Sequence, residues 1–243
     1  MNLTLFDHVL VFILAAWMPV QGALFYRRLQ QAIASGAPDV RMRAYGRTML
    51  WEWSLAGAVI IGWAAAGRSF GDLGLHLSLG WGSMLGMGLS LAACGFLLRQ
   101  MSVIATDPDA QAQLRETMHH LRAVVPSNRR EMRRFMALSF TAGICEELLY
   151  RGFLLWYLGQ ITSAWLAVLV ACLIFGVGHV YQGGKGVLKT GLFGLVATAL
   201  YLLTSALWAP MLLHAVLDMT SGNILSRVLH PRGGDSDTTA HDE

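Results

Sequence analysis

The chain has 243 residues, 55% of them hydrophobic and only 14% charged, with a mean hydropathy of +0.49. That is too apolar for an ordinary soluble domain of this size and marks a membrane protein. The net charge of +3 reflects where arginines fall relative to apolar runs, as described below, and does not point to nucleic-acid binding.

Taken in order, the apolar runs long enough to cross a bilayer are His8–Tyr26, Met49–Ala66, Gly80–Leu98, Phe135–Leu158, Ala164–Val180, Val187–Leu203 and Leu207–Leu225. They predict an all-α, polytopic membrane helix bundle of about seven transmembrane spans. The first run follows no Lys or Arg and precedes no small-residue cleavage site, so it is expected to be a retained span and not a signal peptide. Orientation follows from the basic residues, which are enriched in short cytoplasmic loops. All of the 18 Lys and Arg residues except Arg68 and Arg151 lie on alternate loops. This predicts an N-terminus outside and a C-terminus in the cytosol.

Three divisions are expected. Residues 1–134 hold three spans plus a cytosolic amphipathic segment, residues 135–226 a four-span core, and residues 227–243 a polar tail. Within the first, Gly82 and Gly86 form a small-xxx-small pair that predicts close helix packing. In Asp109–Val125 the apolar Leu114, Met118, Leu121 and Val125 recur at helical spacing, which predicts a helix on the cytoplasmic membrane surface. His119 and His120 belong to its solvated face. The tail from Pro231 is polar and is expected to be disordered. Cys94, Cys145 and Cys172 all fall inside spans and are expected to be small buried residues.

The chemistry is concentrated at GICEELLYRGF, Gly143–Phe153. A charge at the centre of a span costs roughly 2.5–3.5 kcal/mol on insertion scales, and this span carries three. Glu147 and Arg151 are four apart in the favourable order for a helical ion pair. Glu146 lies about 100° around the helix from Glu147 and has no partner on its own helix, so it must look to other spans. FGVGH places Phe175 and His179 on one helical face, and HAVLD does the same for His214 and Asp218. The first three spans contribute little of this kind, chiefly Glu52 near a membrane boundary. Acid and imidazole groups on three spans are expected to converge on a water-filled cavity, because separate burial of each would be uncompensated.

The ordered set Glu146-Glu147-x-x-x-Arg151, Phe175-x-x-x-His179 and His214-x-x-x-Asp218 resembles the three motifs of the CPBP family of intramembrane proteases, also called the CAAX-protease or ABI family. The resemblance covers about Phe135–Leu225, with an echo in RSFGDLGL at Arg68–Leu75 and another in SALWAPMLLHAVLD at Ser205–Asp218. It implies a hydrolase that cleaves a membrane-associated protein or peptide. Glu146 and His179 would hold and deprotonate the attacking water, His214 and Asp218 would donate to the oxyanion, and Glu147, Arg151 and Phe175 would support them. Many members have Asn where this chain has Asp218, which donates only when protonated.

The preferred mechanism needs no cofactor. A zinc-dependent alternative would use Glu146, His179, His214 and Asp218 as ligands, although no HExxH is present. Other classes remain open: an ion- or proton-coupled transporter, since such groups also mark ion paths, and a catalytically idle member that binds a partner, as in bacteriocin immunity. The expected location is the cell membrane, of a bacterium by the preponderance of Arg over Lys, and the expected partners are the bilayer and a peptide substrate. In such a host a prenylated CAAX substrate is not expected. Depth raises a conflict: Glu146 is roughly 16 Å along its helix from Phe135, whereas His179 stands near the cytosolic end of the fifth run. The conflict would vanish if the fifth helix ran on past Gln182 or the fourth began deeper.

Overall fold

The computed structural model describes residues 3–231, and these form helices with no strand. Eight helices follow one another. They are α1 (Leu5–Ala34), α2 (Val40–Ala65), α3 (Trp81–Thr106) and α4 (Pro108–Met118). Next comes α5, an unbroken rod made of Arg129–Glu147, a π-helical stretch Leu148–Leu154 and Leu155–Ile161. The last three are α6 (Ala164–Gly178), α7 (Gly183–Thr204) and α8 (Trp208–Leu229). The polar tail predicted from Pro231 lies outside the described residues beyond Pro231 itself.

Among the described residues three helical stretches are both long and apolar enough to cross a membrane: Leu5–Ala34, Trp81–Thr106 and Val180–Thr204, the last being α7 with the short 3-10 turn Val180–Gln182 before it. Seven such stretches were expected. The difference has two causes. Helix α6 is only 15 residues long, because it stops one residue before His179. Helices α2, α5 and α8 are 19 residues or longer in their α-helical parts but carry polar groups that lower their hydropathy, and those groups point inward. Glu52, Glu147, Arg151 and His214 are each no more than 4% exposed. Outward-facing side chains such as Leu50, Ile61, Phe96, Leu173 and Leu202 are apolar and exposed, an exterior suited to lipid.

Helix α5 is the centre of the bundle, packed chiefly on α8 and α2. Small residues set the spacing. A Cβ on Gly143 would lie 2.8 Å from the backbone nitrogen of Ala215, and one on Gly176 would lie 2.8 Å from the carbonyl of Val187. The predicted pair Gly82 and Gly86 lies against Leu203 and Thr204, with no room for a Cβ at either position. The main core cluster runs from Leu10 and Leu14 on α1, through Leu55, Val59 and Trp63 on α2, to Leu149, Phe153 and Leu154 of the π-helical stretch. All three cysteines are free and buried.

Two expectations about the polar segments change. The helix predicted over Asp109–Val125 ends at Met118 and gives way to a 3-10 turn at His119–Leu121. Its apolar residues Leu114, Leu121 and Val125 pack on Ile224, Leu225, Val228 and Leu229 of α8, so protein covers that face. His119 is exposed as predicted, but Nε2 of His120 is 3.1 Å from the carbonyl of Gln182 and pins the segment to the turn after α6. Arg68, one of the two basic residues outside the loop pattern, pairs with both carboxylate oxygens of Asp7 at 2.7 and 2.6 Å. Its guanidinium lies 4.4 Å from the ring centroid of Trp156 and 5.1 Å from that of Trp63. This buried pair ties the start of α1 to the loop after α2.

Candidate active site

The EExxxR stretch places its two acids on different faces of α5. Glu147 is fully buried, and its Oε1 accepts from Arg151 Nη1 at 2.9 Å and from His214 Nδ1 at 2.7 Å. Arg151 also donates to the carbonyl of Gly194 at 3.2 Å and stacks its guanidinium 4.3 Å from the Phe175 ring centroid. Absence of a side chain at Gly194 permits this approach, since a Cβ there would crowd both Arg151 and Phe175. The predicted ion pair is therefore present and is one part of a longer chain, Gly194 to Arg151 to Glu147 to His214. Arg151 sits inside the π-helical stretch, a widened turn of the kind that recurs at functional sites.

Glu146, on the neighbouring face, looks into the space between α6 and α8. Its Oε2 stands 3.8 Å from His214 Nε2 and 4.0 Å from His179 Nε2, and it has no hydrogen-bond partner within the protein. His214 Nε2 is also 3.8 Å from Asp218 Oδ2. These separations are too long for direct hydrogen bonds and suit groups that share one small molecule, such as water, between them. The side chains of Glu146 and His179 are 14% and 18% exposed, that of His214 5%, and that of Asp218 39%. Asp218 thus stands at the mouth and the others further in.

The ring orientations are set by the backbone and by Glu147. His179 Nδ1 lies 2.9 Å from the carbonyl of Phe175, an acceptor only, so Nδ1 carries the hydrogen and Nε2 faces Glu146. His214 Nδ1 is held by Glu147, so its Nε2 faces Glu146 as well. The edges of Phe175 and Phe193 meet the His214 ring at centroid distances of 6.0 and 5.0 Å, which walls the imidazole on its apolar sides. Among the described residues no three His, Cys, Asp or Glu side chains are arranged so as to hold a metal ion.

The depth conflict resolves in neither way the sequence suggested. Helix α6 stops at Gly178, short of Gln182, so that His179 begins a turn inside the bundle at the level of Glu146. Segments from the basic end of the bundle fold over that turn: Tyr26 packs on Tyr181 and His120 reaches Gln182.

Glu52 is the residue that sequence reasoning misjudged. It is 4% exposed, one of its oxygens is buried without a partner, and it lies on the inward stripe of α2 with Leu55, Ala56, Val59 and Trp63. Tyr45 meets Phe135, and Trp53 donates to Thr141 at 3.2 Å, so α2 runs parallel to α5 with Glu52 level with Thr141. Phe135 meets Gly222, and Gly143 meets Ala215, so antiparallel α8 brings Asp218 to the same level. The charges of Glu146 and Asp218 act on Glu52. The only signal available in the sequence was a lone acid on an otherwise apolar run.

Residues 129–220 match a protein-family model described as Type II CAAX prenyl endopeptidase Rce1-like. The matched segment contains all of Glu146, Glu147, Arg151, Phe175, His179, His214 and Asp218, in the order of the three motifs. That segment is similar to the CAAX-protease (CPBP) family. This family is one of peptidases, and the CAAX-protease segment together with the long apolar helices makes the chain a membrane protein. No curated protein and no solved structure gives a significant match to it.

Proposed function

We propose that the chain is an intramembrane endopeptidase that cleaves a membrane-associated protein or peptide with a water molecule activated by Glu146 and His179. The observation that carries this reading is the convergence of His179 Nε2, from the turn after α6, and His214 Nε2, from α8, on a buried and unpartnered oxygen of Glu146. In this reading the water sits between Glu146 Oε2 and His179 Nε2. Glu146 takes its proton as the oxygen adds to the scissile carbonyl. His214, held through Nδ1 by the Glu147 carboxylate and doubly protonated as the imidazolium, donates from Nε2 to the developing oxyanion, and protonated Asp218 donates beside it. The proton on Glu146 then passes to the amine nitrogen as the C–N bond breaks.

The same reading keeps seven spans with the N-terminus outside, four of them formed by α1, α3, α7 and the short α6, and three by the helices whose polar faces point inward. The cavity then opens to the cytosolic side of a bacterial cell membrane, past Asp218. Comparative membrane proteomics of wild-type cells and cells carrying Glu146→Ala tests the function. A precursor that accumulates only in the variant is expected, and identical membrane proteomes would overturn the protease reading.

Asp218→Asn separates water activation by Glu146 from activation by a metal. An amide donates a hydrogen bond at any pH, so the Asn variant is expected to keep or gain activity, to extend it to higher pH and to ignore chelators. Asp218→Ala, which removes the donor, is expected to lose about 10²–10³ in rate. An inactive Asn variant rescued by added zinc would replace the metal-free mechanism and leave the peptidase reading standing.

A further inference from the structure

Some arginines at the basic end of the bundle are committed to protein partners. Arg41 donates from Nε to the carbonyl of Ala123 at 2.9 Å and from Nη2 to that of Arg122 at 3.2 Å, and lies 3.7 Å from Glu131. Arg130 pairs with Asp39 at 3.4 Å, and Arg115 donates to the carbonyl of Val228 at 3.0 Å. Arg28, Arg43 and Arg47 are not, and they share one cavity. Among the described residues none of their side chains has a hydrogen bond or an acidic partner, and the Arg47 guanidinium makes a cation-π contact at 5.9 Å with Phe25.

These three line one cavity of about 250 Å³ between α1 and α2, and no acidic residue lines it. Phe25, Leu29 and Ala44 supply an apolar floor. Arg43 and Arg47 are four apart on one helix, a like-charge spacing that weakens a helix unless an anion sits between the two. Guanidinium groups that converge without acids form the donor set for a phosphoester, whose oxygens accept their forked N–H groups. The volume is below that of a typical small-molecule site and suits a head group, not a substrate chain. One turn from the arginines, Leu24, Leu50 and Trp51 are exposed, an apolar surface along which acyl chains can run.

We infer that this cavity is a binding site for the phosphoester of an anionic phospholipid, with Arg28, Arg43 and Arg47 on the phosphate and the acyl chains against Leu24, Leu50 and Trp51. Basic pockets between helices at a membrane edge are where such head groups are held. The site lies on α1 and α2, outside the catalytic constellation, and its occupancy does not depend on what the chain cleaves.

Native mass spectrometry of the full chain in detergent, titrated with short-chain phosphatidylglycerol, phosphatidylcholine or inorganic phosphate, tests this. Wild type is expected to retain one phosphatidylglycerol in preference to phosphatidylcholine. The triple variant R28Q/R43Q/R47Q is expected to bind it about a hundredfold more weakly, and the lysine triple R28K/R43K/R47K, which keeps the charge but loses the fork, about tenfold more weakly. A control of equal charge, R99Q/R133Q/R227Q, removes three exposed arginines outside the cavity and is expected to bind as wild type. Undiminished binding by the glutamine triple, or an equal loss in the control, would overturn the site. Inorganic phosphate that binds as tightly as the lipid would overturn the lipid and make the ligand a free phosphate.

Discussion

Replacing Glu146 by Gln should reduce turnover by roughly 10⁴-fold or more, the upper range for loss of a general base, while leaving abundance and melting temperature close to wild type. The two halves of this expectation come from different features of one side chain. Glu146 Oε2 makes no hydrogen bond within the protein and stands 3.8–4.0 Å from its nearest charged neighbours. An isosteric amide therefore strands no partner, and stability has little to lose. The chemistry, by contrast, has no other acceptor in the same place. Glu147 lies on the adjacent face with Oε1 already shared between Arg151 and His214, and Asp218 stands at the mouth. A single-turnover assay on the accumulating precursor, paired with thermal melting in detergent, measures both halves. Retained turnover would remove Glu146 from its role, and a collapse in melting temperature would make it structural.

Arg151→Ala should do the reverse and act first on stability. It deletes the cation opposite a carboxylate that is fully buried, leaves the Gly194 carbonyl with Thr198 Oγ1 as its remaining side-chain donor, and opens a gap beside Phe175. Breaking a buried pair by removing one partner costs about 3–5 kcal/mol, which for a chain of this length lowers the melting temperature by roughly 10 °C. Activity should fall as well, because Glu147 also orients His214. The double variant E147Q/R151M, which removes both charges, is expected to recover much of the stability and little of the activity, since His214 has then lost its anionic partner. Thermal melting and rate measurements on the two variants check this. Normal melting of Arg151→Ala with lost activity would move Arg151 from support into the reaction itself.

These two outcomes also mark how far the sequence reaches. The pairs Glu147 with Arg151, Phe175 with His179 and His214 with Asp218 could be read directly, because residues four apart meet on any helix whatever surrounds it. So could the apolar runs, the close approach at Gly82 and Gly86, and the need of Glu146 for a partner on another helix, since each rests on local periodicity or on the cost of burying a charge. The family match over residues 129–220 spans the same three ordered motifs.

The tertiary structure decided the rest. It joined Glu147 to His214 across two helices, stopped α6 at Gly178 so that His179 reaches Glu146, and widened α5 into a π-helical stretch around Arg151. It carried Glu52 from a presumed membrane edge to the level of Asp218, paired Asp7 with Arg68 across 61 residues, and left three arginines of α1 and α2 around one cavity. The physical reason is common to all of these. Helical periodicity says which face of a segment is polar, but the register and depth at which two helices pack depend on side-chain volumes and glycine contacts from distant parts of the chain. Composition, which treats every charge alike, therefore does not say which helices turn their charges toward one another inside the bundle.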